Sequence, residues 1–385
     1  MTAPAHPAGQ ARTQLSRAIA PDVARGVMLL LIALAHAPGF VSDRVPAAAN
    51  TVAELLRSLL AENQARSMFI VLFGYAMGQL LYRQEARGTG PAETRGLLRR
   101  RGLVLVGVGL AHSALLVPLD IVATYGFALL FLAAMVTTRD RVLLWTAGGA
   151  LPLGIAMISW TYQRSVAAEL SGEPAGMVPY MSATYPAHVL SGLPGWLPDA
   201  VLGVVVVVPG MLFGIWAARR RYLDEPQEHA VLLRRTAVGL LLLALASRLP
   251  QALVVAGFWV PTATSTEWVL AVLHTSGGYL GGVGLAALVG VVFVGRRATG
   301  GAVATALAAL GQRSLTFYLV QSLVWLLLFY PFTLDLAGTV SFAGAAVIAT
   351  AVWVASVGLA LVMARAGVPG PAEVLVRRLS YRRRR

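Results

Sequence analysis

The chain has 385 residues, of which 57% are hydrophobic and only 12% charged, and its mean hydropathy is +0.71. A soluble domain carries about 25% charged residues, so this composition excludes an ordinary soluble enzyme and, because of its hydrophobicity, a disordered chain. The absence of cysteine excludes disulfides, thiolate catalysis and cysteine-based metal sites. All 31 basic residues are arginine against 17 acidic residues, and they fall between apolar segments, which indicates membrane topology rather than nucleic-acid binding.

Apolar segments long enough to cross the ~30 Å hydrocarbon core of a bilayer recur along the chain. They predict an all-α, polytopic integral membrane protein with about ten transmembrane helices. A further apolar piece, 302–311, is a candidate re-entrant segment. The predicted spans cover 23–41, 67–82, 102–118, 120–137, 141–160, 199–217, 236–258, 268–294, 314–331 and 340–364.

The arginines define the predicted orientation of these spans. With the N-terminus in the cytoplasm, 25 arginines lie in inner segments and two within spans, while the outer segments carry only Arg44, Arg57, Arg66 and Arg164. Cytoplasmic loops of membrane proteins are enriched in basic residues. The alternation therefore predicts that both termini are cytoplasmic.

The same pattern divides the chain into a cytoplasmic lead at 1–22, a transmembrane domain at 23–364 and a basic cytoplasmic tail at 365–385. The lead lacks a cleavage site after a short apolar core, so span one is predicted to be an uncleaved anchor. The outer loop 42–66 contains a predicted interfacial helix. The outer loop 161–198 is long enough to form a lid or a binding element.

Polar and ionisable side chains fall inside or at the edges of the predicted spans, where each is by default a candidate functional residue. Most of the ionisable ones lie at a similar depth in the outer half, which predicts one polar cavity open to the outer side. The set comprises His36, Arg66, His112, Asp120, Arg248, Gln251, His274, Gln312, Arg313, Ser314, Thr316, Tyr318, Gln321 and Ser322.

Structural roles compete with functional ones for these residues. His112 can simply hydrogen-bond a neighbouring helix, and the polar residues at 312–322 can hold helices together. We expect Asp120 to pair with Arg66 or Arg248, either to join helices or as a catalytic carboxylate. Because Arg248 cannot shed its charge, we also expect it to share one polar cavity with Asp120.

Span one carries the most informative pair of residues, Arg25 and His36. Eleven residues of α-helix place the two on one face, ~16 Å apart along the axis. A cation at the cytoplasmic mouth suits a phosphorylated donor that enters from the cytosol. A neutral imidazole deeper in the membrane is the usual general base for a hydroxyl or amine nucleophile.

Several stretches of the chain resemble a known family. The arginine, ten residues and histidine of span one resemble the signature of the acyltransferase 3 superfamily. The stretches DVARGVMLLLIAL, ARSMFIVLFGYAMGQLL, RRRGLVLVGVGLAHSALLVPLDIVATYGFALL, ALGQRSLTFYLVQSLVW and GPAEVLVRRLSY resemble the YeiB-like family, domain of unknown function 418. That family is grouped with heparan-α-glucosaminide N-acetyltransferase. Many YeiB-like sequences carry Asn at the position of His36, so this chain is closer to the acyltransferase pattern.

The resemblance implies an acyltransferase of the bacterial cytoplasmic (inner) membrane. Such an enzyme moves an acyl group, expected to be acetyl, from cytosolic acyl-CoA to a hydroxyl or amine of a cell-envelope or small-molecule acceptor. Its implied catalytic residues are His36 as base, with His112 and Asp120, which would orient His112 or an arginine. No metal and no permanently bound cofactor is expected. The residues expected to bind the substrates are Arg25, Arg66, Arg248, His274, Gln312, Tyr318 and Gln321.

A membrane transporter or binding protein for a small anionic metabolite is the alternative. A transporter often carries inverted repeats, and the sequence shows none. The expected partners are membrane lipid, with which the final arginines 382–385 are expected to interact, and the small-molecule or glycan acceptor. No nucleic-acid partner is expected, and a homodimer is left open.

Overall fold

The computed structural model describes residues 18–42, 47–170, 178, 181–294 and 301–381. Regular structure within these residues is helical throughout. The helices are α1 (Ala20–His36), α2 (Ala48–Leu56), α3 (Gln64–Glu85), α4 (Pro91–Leu115), α5 (Val122–Leu132), α6 (Asp140–Leu170), α7 (Tyr185–Ser191), α8 (Trp196–Arg219), α9 (Ala230–Val255), α10 (Thr264–Val292), α11 (Gly301–Gly311), α12 (Ser314–Phe329), α13 (Phe342–Arg365) and α14 (Pro371–Ser380).

Six segments of the described chain are long and apolar enough to cross a membrane, and α11 with α12 would make a seventh if the pair, bent by 78°, is one span. The outward faces of these helices are strongly apolar: Trp145 is 81% exposed and Val303 is 74% exposed. Apolar surface on this scale is typical of a lipid-facing protein. The six segments are Ala20–Phe40, Asp140–Arg164, Trp196–Arg219, Ala230–Val255, Thr264–Val292 and Phe342–Arg365.

Each of the ten predicted spans overlaps a helix, but the count of ten is not confirmed. The helix α5 has only 11 residues, and α4 carries four arginines in its first half. The candidate re-entrant piece is the helix α11, which breaks sharply before α12. The apolar segments therefore predicted the positions of the helices better than the number of helices that cross the membrane.

Contacts between distant segments group at the two ends of the helix bundle. At the arginine-rich end, where α1, α4 and α12 begin and α3 and α8 finish, Arg219 Nη1 donates to Asp140 Oδ1 at 2.7 Å and joins α8 to α6. At the opposite end, the amide of Ala343 donates to Asn50 Oδ1 at 2.9 Å and joins α13 to α2. We call them the arginine-rich end and the opposite end.

Small residues let the helices that build the bundle's centre approach closely. A Cβ at Gly74 on α3 would meet the Met211 backbone of α8, and one at Gly214 would meet the Val71 backbone. Helices inside a membrane commonly associate through small residues spaced four apart. The G-x-x-x-G spacings at 74–78 and 210–214 therefore fix α3 against α8.

The tail helix α14 is docked on the bundle. Glu373 Oε1 accepts the backbone amides of Leu315 at 2.8 Å and Thr316 at 3.2 Å, so it caps the first turn of α12. Arg313 donates to the carbonyl of Val368 through Nε at 3.1 Å and Nη2 at 2.6 Å. The two stretches that resembled one family, ALGQRSLTFYLVQSLVW and GPAEVLVRRLSY, thus bind each other.

Two predicted loops contain helices. The segment predicted as an interfacial helix forms α2 and a π-helical turn at Arg57–Ala61. In the longest outer loop, α7 covers the end of α4, where Tyr185 Oη donates to the Leu115 carbonyl at 3.2 Å. Predictions for 1–17, 43–46, 171–177, 179–180, 295–300 and 382–385 lie outside the described residues.

Candidate functional site

A cavity of about 500 Å³ opens at the arginine-rich end of the bundle, between α3, α4, α12 and α14. Small-molecule sites commonly span roughly 300–1,000 Å³. From Phe69 to Arg83 the cavity follows α3 for about 20 Å, at 1.5 Å per residue. The sequence predicted a polar cavity open to the outer side. This cavity is a different one, because it opens at the end predicted to be inner.

The mouth of the cavity is strongly cationic. Arg83, Arg101 and Arg377 line it, and their side chains form no hydrogen bond or ion pair with any other described residue. Unpaired guanidinium groups around a concave surface attract anions. The five arginines of the lining are Arg25, Arg83, Arg101, Arg313 and Arg377.

The remaining charges of the lining are held by the protein itself. Arg25 Nη1 lies 2.8 Å from Asp22 Oδ1. Gln312 Nε2 donates to the second oxygen of the same carboxylate at 3.1 Å. Arg313 and Glu373 are committed to the contacts between α12 and α14. The anion-attracting charge of the mouth therefore comes mainly from α3, α4 and α14.

The inner end of the cavity is aromatic. Tyr125 stacks on Phe73 with ring centroids 4.6 Å apart and meets the edge of Phe69 at 4.8 Å. Its buried hydroxyl has no hydrogen-bond partner in the described residues. Tyr318 closes the other side, and its hydroxyl donates to the Leu119 carbonyl at 2.8 Å. The inner end thus offers an apolar surface with one unpaired hydroxyl.

A buried histidine lies directly behind Tyr318. The His112 and Tyr318 ring centroids are 5.1 Å apart, and His112 is 2% exposed. His112 Nε2 lies 2.8 Å from Ser322 Oγ, and Nδ1 lies 3.6 Å from Asp120 Oδ1. We call Asp120, His112 and Ser322 the relay. Asp120 Oδ1 lies beside the His112 ring but beyond hydrogen-bonding distance, and Nδ1 has no hydrogen-bond partner in the described residues.

Asp120 is fixed by the start of α5. Its Oδ1 accepts the amide of Val122 at 2.8 Å, and its Oδ2 accepts the amide of Ala123 at 3.0 Å and the indole of Trp196 at 3.4 Å. A carboxylate at a helix N-terminus satisfies amides that the helix cannot. The expected pairing of Asp120 with Arg66 or Arg248 is wrong, because helix capping and His112 fill its surroundings.

Arg248 is instead paired at the opposite end, in a buried cluster around Glu62. Arg248 is fully buried and donates to the carbonyls of Ser58 and, at 2.6 Å, Glu62. His274 Nε2 lies 3.5 Å from Glu62 Oε2. We call Arg57, Glu62, Tyr162, Arg248 and His274 the Glu62 cluster. The prediction that Asp120 and Arg248 share a cavity is wrong, since they have no common partner.

Electrostatics explains why Glu62 tolerates this position between α2 and α3. Its Oε1 lies 2.8 Å from Arg57 Nη1. Burial raises the pKa of Glu62, but Arg57, then His274 and Arg248, outweigh that effect and hold the pKa below its ordinary value. Tyr162 stacks on His274 with ring centroids 4.5 Å apart and donates to Glu62 Oε2 at 3.3 Å.

His36 and Arg66 are coupled electrostatically to the relay and to the Glu62 cluster: His36 to His112, and Arg66 to Glu62. His36 is partly exposed, and its ring has no hydrogen bond in the described residues. Its charge interacts with those of Arg66 and His112. Arg66 donates to Asn63 and interacts electrostatically with Glu62 and with Tyr125 of the cavity. His36 is therefore the predicted base whose ring makes no hydrogen bond within the described residues.

The structure therefore separates the predicted residues, and His36 is not among the residues that line the cavity. Arg25, Gln312 and Tyr318 line the cavity, with His112 and Asp120 behind it. Gln321 donates to the Leu29 carbonyl on α1 at 3.3 Å. The two that join the Glu62 cluster are Arg248 and His274, with Arg66 beside them.

Glu62 and Tyr125 had no assigned role in the sequence prediction, and Ser322 had only the general role of a polar residue that can hold helices together. Glu62 fell in a segment predicted to lie at the membrane surface. Ser322 stood among the polar residues of span nine, but its distance of 210 residues from His112 hides their contact. No feature of the sequence indicates that the Tyr125 hydroxyl is left without a hydrogen-bond partner in the described residues.

The C-terminal part of the chain matches a family model. Residues 217–383 match "Protein of unknown function (DUF418)". This match confirms the resemblance to that family over α9–α14, which include Ser322 and the capping Glu373. The match does not extend to the part of the chain that carries His36 and the other two relay residues. No curated protein matches the chain.

Proposed function

We propose that this protein is an integral membrane acyltransferase that moves an acyl group from acyl-CoA to a hydroxyl or amine acceptor. The cavity carries the proposal, because it joins an anion-attracting mouth to an aromatic end where Tyr318 packs on His112. Its depth of about 20 Å suits a long, thin donor with an anionic head and an apolar arm. Acetyl-CoA is the proposed donor.

The donor's phosphates would be bound at the mouth. Arg83, Arg101 and Arg377 have no partner among the described residues, so they can bind phosphate without first breaking an ion pair. Bidentate contacts to phosphate are characteristic of arginine. The thioester would then lie at the inner end, against Tyr125 and Tyr318.

His36 would act on the acceptor. Its ring is partly exposed and unpaired in the described residues, as a general base must be to reach a substrate proton. The acceptor's proton passes to His36, its oxygen or nitrogen attacks the thioester carbonyl, and the C–S bond breaks. The thiolate leaves through the mouth and takes up a proton from water, and His36 releases the acceptor's proton to water. Arg66, which interacts electrostatically with His36, would stabilise the developing oxyanion.

The proposed orientation places the cavity mouth in the cytoplasm and both termini inside, with ten spans in the cell inner membrane. Every arginine of the mouth belongs to a segment that the arginine distribution predicts to be inner, apart from Arg313, at the edge of span nine. Basic residues favour the cytoplasmic side. A cytosolic donor would therefore enter directly, while the acceptor would approach from the other side.

Donor binding tests the proposal through the shape of the cavity. Ala76 lines the cavity on α3, and Ala246 lies exposed on α9. We expect Ala76→Trp to abolish saturable binding of radiolabelled acetyl-CoA by the purified full-length protein in nanodiscs, and Ala246→Trp to leave binding unchanged. Unaltered binding by Ala76→Trp would overturn this assignment of the cavity.

A further inference from the structure

The relay adds a nucleophile to the proposed reaction. Ser322 Oγ faces His112 Nε2 at 2.8 Å, and Asp120 Oδ1 faces Nδ1 of the same ring at 3.6 Å. Nδ1 has no hydrogen-bond partner in the described residues, but the charge of the carboxylate beside it favours the tautomer that carries the proton there and leaves Nε2 free to accept the serine proton. Ser322 Oγ also lies 3.3 Å from the Tyr318 carbonyl, to which it can donate. Serine, histidine and carboxylate in this order are the arrangement that activates a serine for attack on an acyl group.

The relay also lies where an acyl donor would end. Tyr318 lines the cavity, and Ser322 follows it by one helical turn on α12. Tyr318 is held in place by one side-chain hydrogen bond, to the Leu119 carbonyl. Rotation of this one side chain would open the way from the inner end of the cavity to Ser322.

We infer that Ser322 carries the acyl group as a covalent ester, so that transfer takes place in two steps. The inference rests on the proposed function for the identity of the donor, a cytosolic thioester. It assigns a separate base to each step, His112 to the first and His36 to the second.

In the first step, Ser322 Oγ attacks the thioester carbonyl and its proton passes to His112 Nε2. The C–S bond breaks, and the thiolate leaves through the cavity mouth and is protonated by water. Asp120 stabilises the imidazolium that remains. This step produces an acyl ester on Ser322.

In the second step, the acceptor attacks the ester carbonyl while His36 removes its proton. The ester C–O bond breaks, and Ser322 Oγ takes back the proton held by His112. His36 then releases its proton to water. One acyl group has moved and one thiol has been released, with both histidines neutral again.

The first experiment does not depend on acyl-CoA. The full-length protein in nanodiscs is treated with a fluorophosphonate, which phosphonylates activated serines, and the modified residue is located by mass spectrometry. Ser356 provides the matched control, since it is a buried helical serine that donates to the carbonyl four residues before it, at Val352, at 2.7 Å. We expect labelling at Ser322, none in Ser322→Ala and unchanged labelling in Ser356→Ala. His112→Ala should slow labelling by at least about a hundredfold.

The second experiment uses the absence of cysteine from the chain. With Ser322→Cys, acetyl-CoA should form a thioester at the introduced thiol and protect it from maleimide. A thiol introduced by Ser356→Cys should stay reactive under the same conditions. This variant keeps a nucleophile at the relay, so it separates lost chemistry from lost folding.

The outcomes separate this inference from the proposed function. Labelling at Ser322 together with acetyl-CoA protection supports both. Acetyl-CoA binding and acyl transfer that persist in Ser322→Ala overturn the covalent step and leave the proposed function standing. Fluorophosphonate labelling of Ser322 without any acetyl-CoA binding overturns the proposed donor, and with it the two-step transfer. No labelling at Ser322 with either reagent overturns the inference.

Discussion

The ring of Tyr318 lies between the cavity and His112, 5.1 Å from the His112 ring. Its hydroxyl is tied to the Leu119 carbonyl by a hydrogen bond of 2.8 Å. Removal of that hydroxyl leaves a carbonyl without its donor and frees the ring to turn. The Tyr318 hydroxyl therefore affects both the stability of the fold and the access of a substrate to the relay.

Tyr318→Phe should lower stability and raise access to Ser322. We expect a loss of about 1–3 kcal/mol, because the Leu119 carbonyl loses its partner. Fluorophosphonate labelling of Ser322 should become several-fold faster. Tyr330→Phe is the control, since Tyr330 is buried but its hydroxyl has no hydrogen bond in the described chain. Slower labelling in Tyr318→Phe would contradict this role of Tyr318.

The cap of α12 by the tail helix should contribute measurably to stability. Glu373→Gln removes the charge that accepts the amides of Leu315 and Thr316, and loss of a helix cap costs about 0.5–2 kcal/mol. Thermal melts of the full-length protein measure the loss. Glu93→Gln, at an exposed first-turn glutamate of α4, should have a smaller effect. Equal effects of the two changes would show that the tail is not held by this cap.

Much of this architecture follows from the sequence. The ten apolar segments and the helix at 42–66 all coincide with helices, because hydrophobic runs of span length leave little choice of structure. The segment at 371–380 was predicted only as a tail. Its role at the cavity depends on Glu373 reaching α12, and a contact so distant in the chain has no local signal.

The site was predicted less completely. His36, Arg25 and Tyr318 were recognised because each is a polar residue in an apolar segment. The partner of Arg248 was missed because Glu62 falls outside every predicted span, and buried charges are satisfied by whichever group the packing brings near. The sequence thus locates the polar and charged residues that are unfavourable to bury, while tertiary packing determines which groups they contact.

A double-mutant cycle should separate the two buried clusters. Arg248→Gln and Asp120→Asn should be additive within about 0.3–0.5 kcal/mol, since the two residues share no partner in the described structure. Arg248→Gln and Glu62→Gln should couple by more than that, because each change leaves a buried charge less compensated. Coupling between Asp120 and Arg248 would contradict the separation of the clusters.

The stabilising effect of Glu62 should depend on pH. Its pKa is lower in the folded protein than in the unfolded chain, so its stabilisation is fully present above the unfolded value, about 4.3. That stabilisation is lost as the pH falls through the folded value. The melting temperature of Glu62→Gln should therefore lie well below that of the unmodified protein at pH 7, and the gap should shrink below about pH 4.3.

Glu225→Gln provides the control for this pH series. Glu225 pairs with Arg221 at 2.7 Å, but both side chains are about one-third exposed, and exposed pairs contribute little. Its melting temperature should follow that of the unmodified protein at every pH. A gap for Glu62→Gln that stays constant down to pH 3 would show that its charge does not stabilise the fold.

Acyl transfer through His36 can be measured in membrane vesicles of known orientation. Radiolabelled acetyl-CoA is supplied to inverted vesicles that contain the protein and enclose extracted cell-envelope material as acceptor, and acid-stable label outside CoA is counted. We predict transfer in inverted vesicles, little in right-side-out vesicles, and a loss of about 10²–10⁴-fold in His36→Ala, the usual contribution of a general base. His229→Ala, at a partly exposed histidine before α9, should transfer at the unmodified rate. Transfer by His36→Ala at that same rate would show that His36 is not the general base.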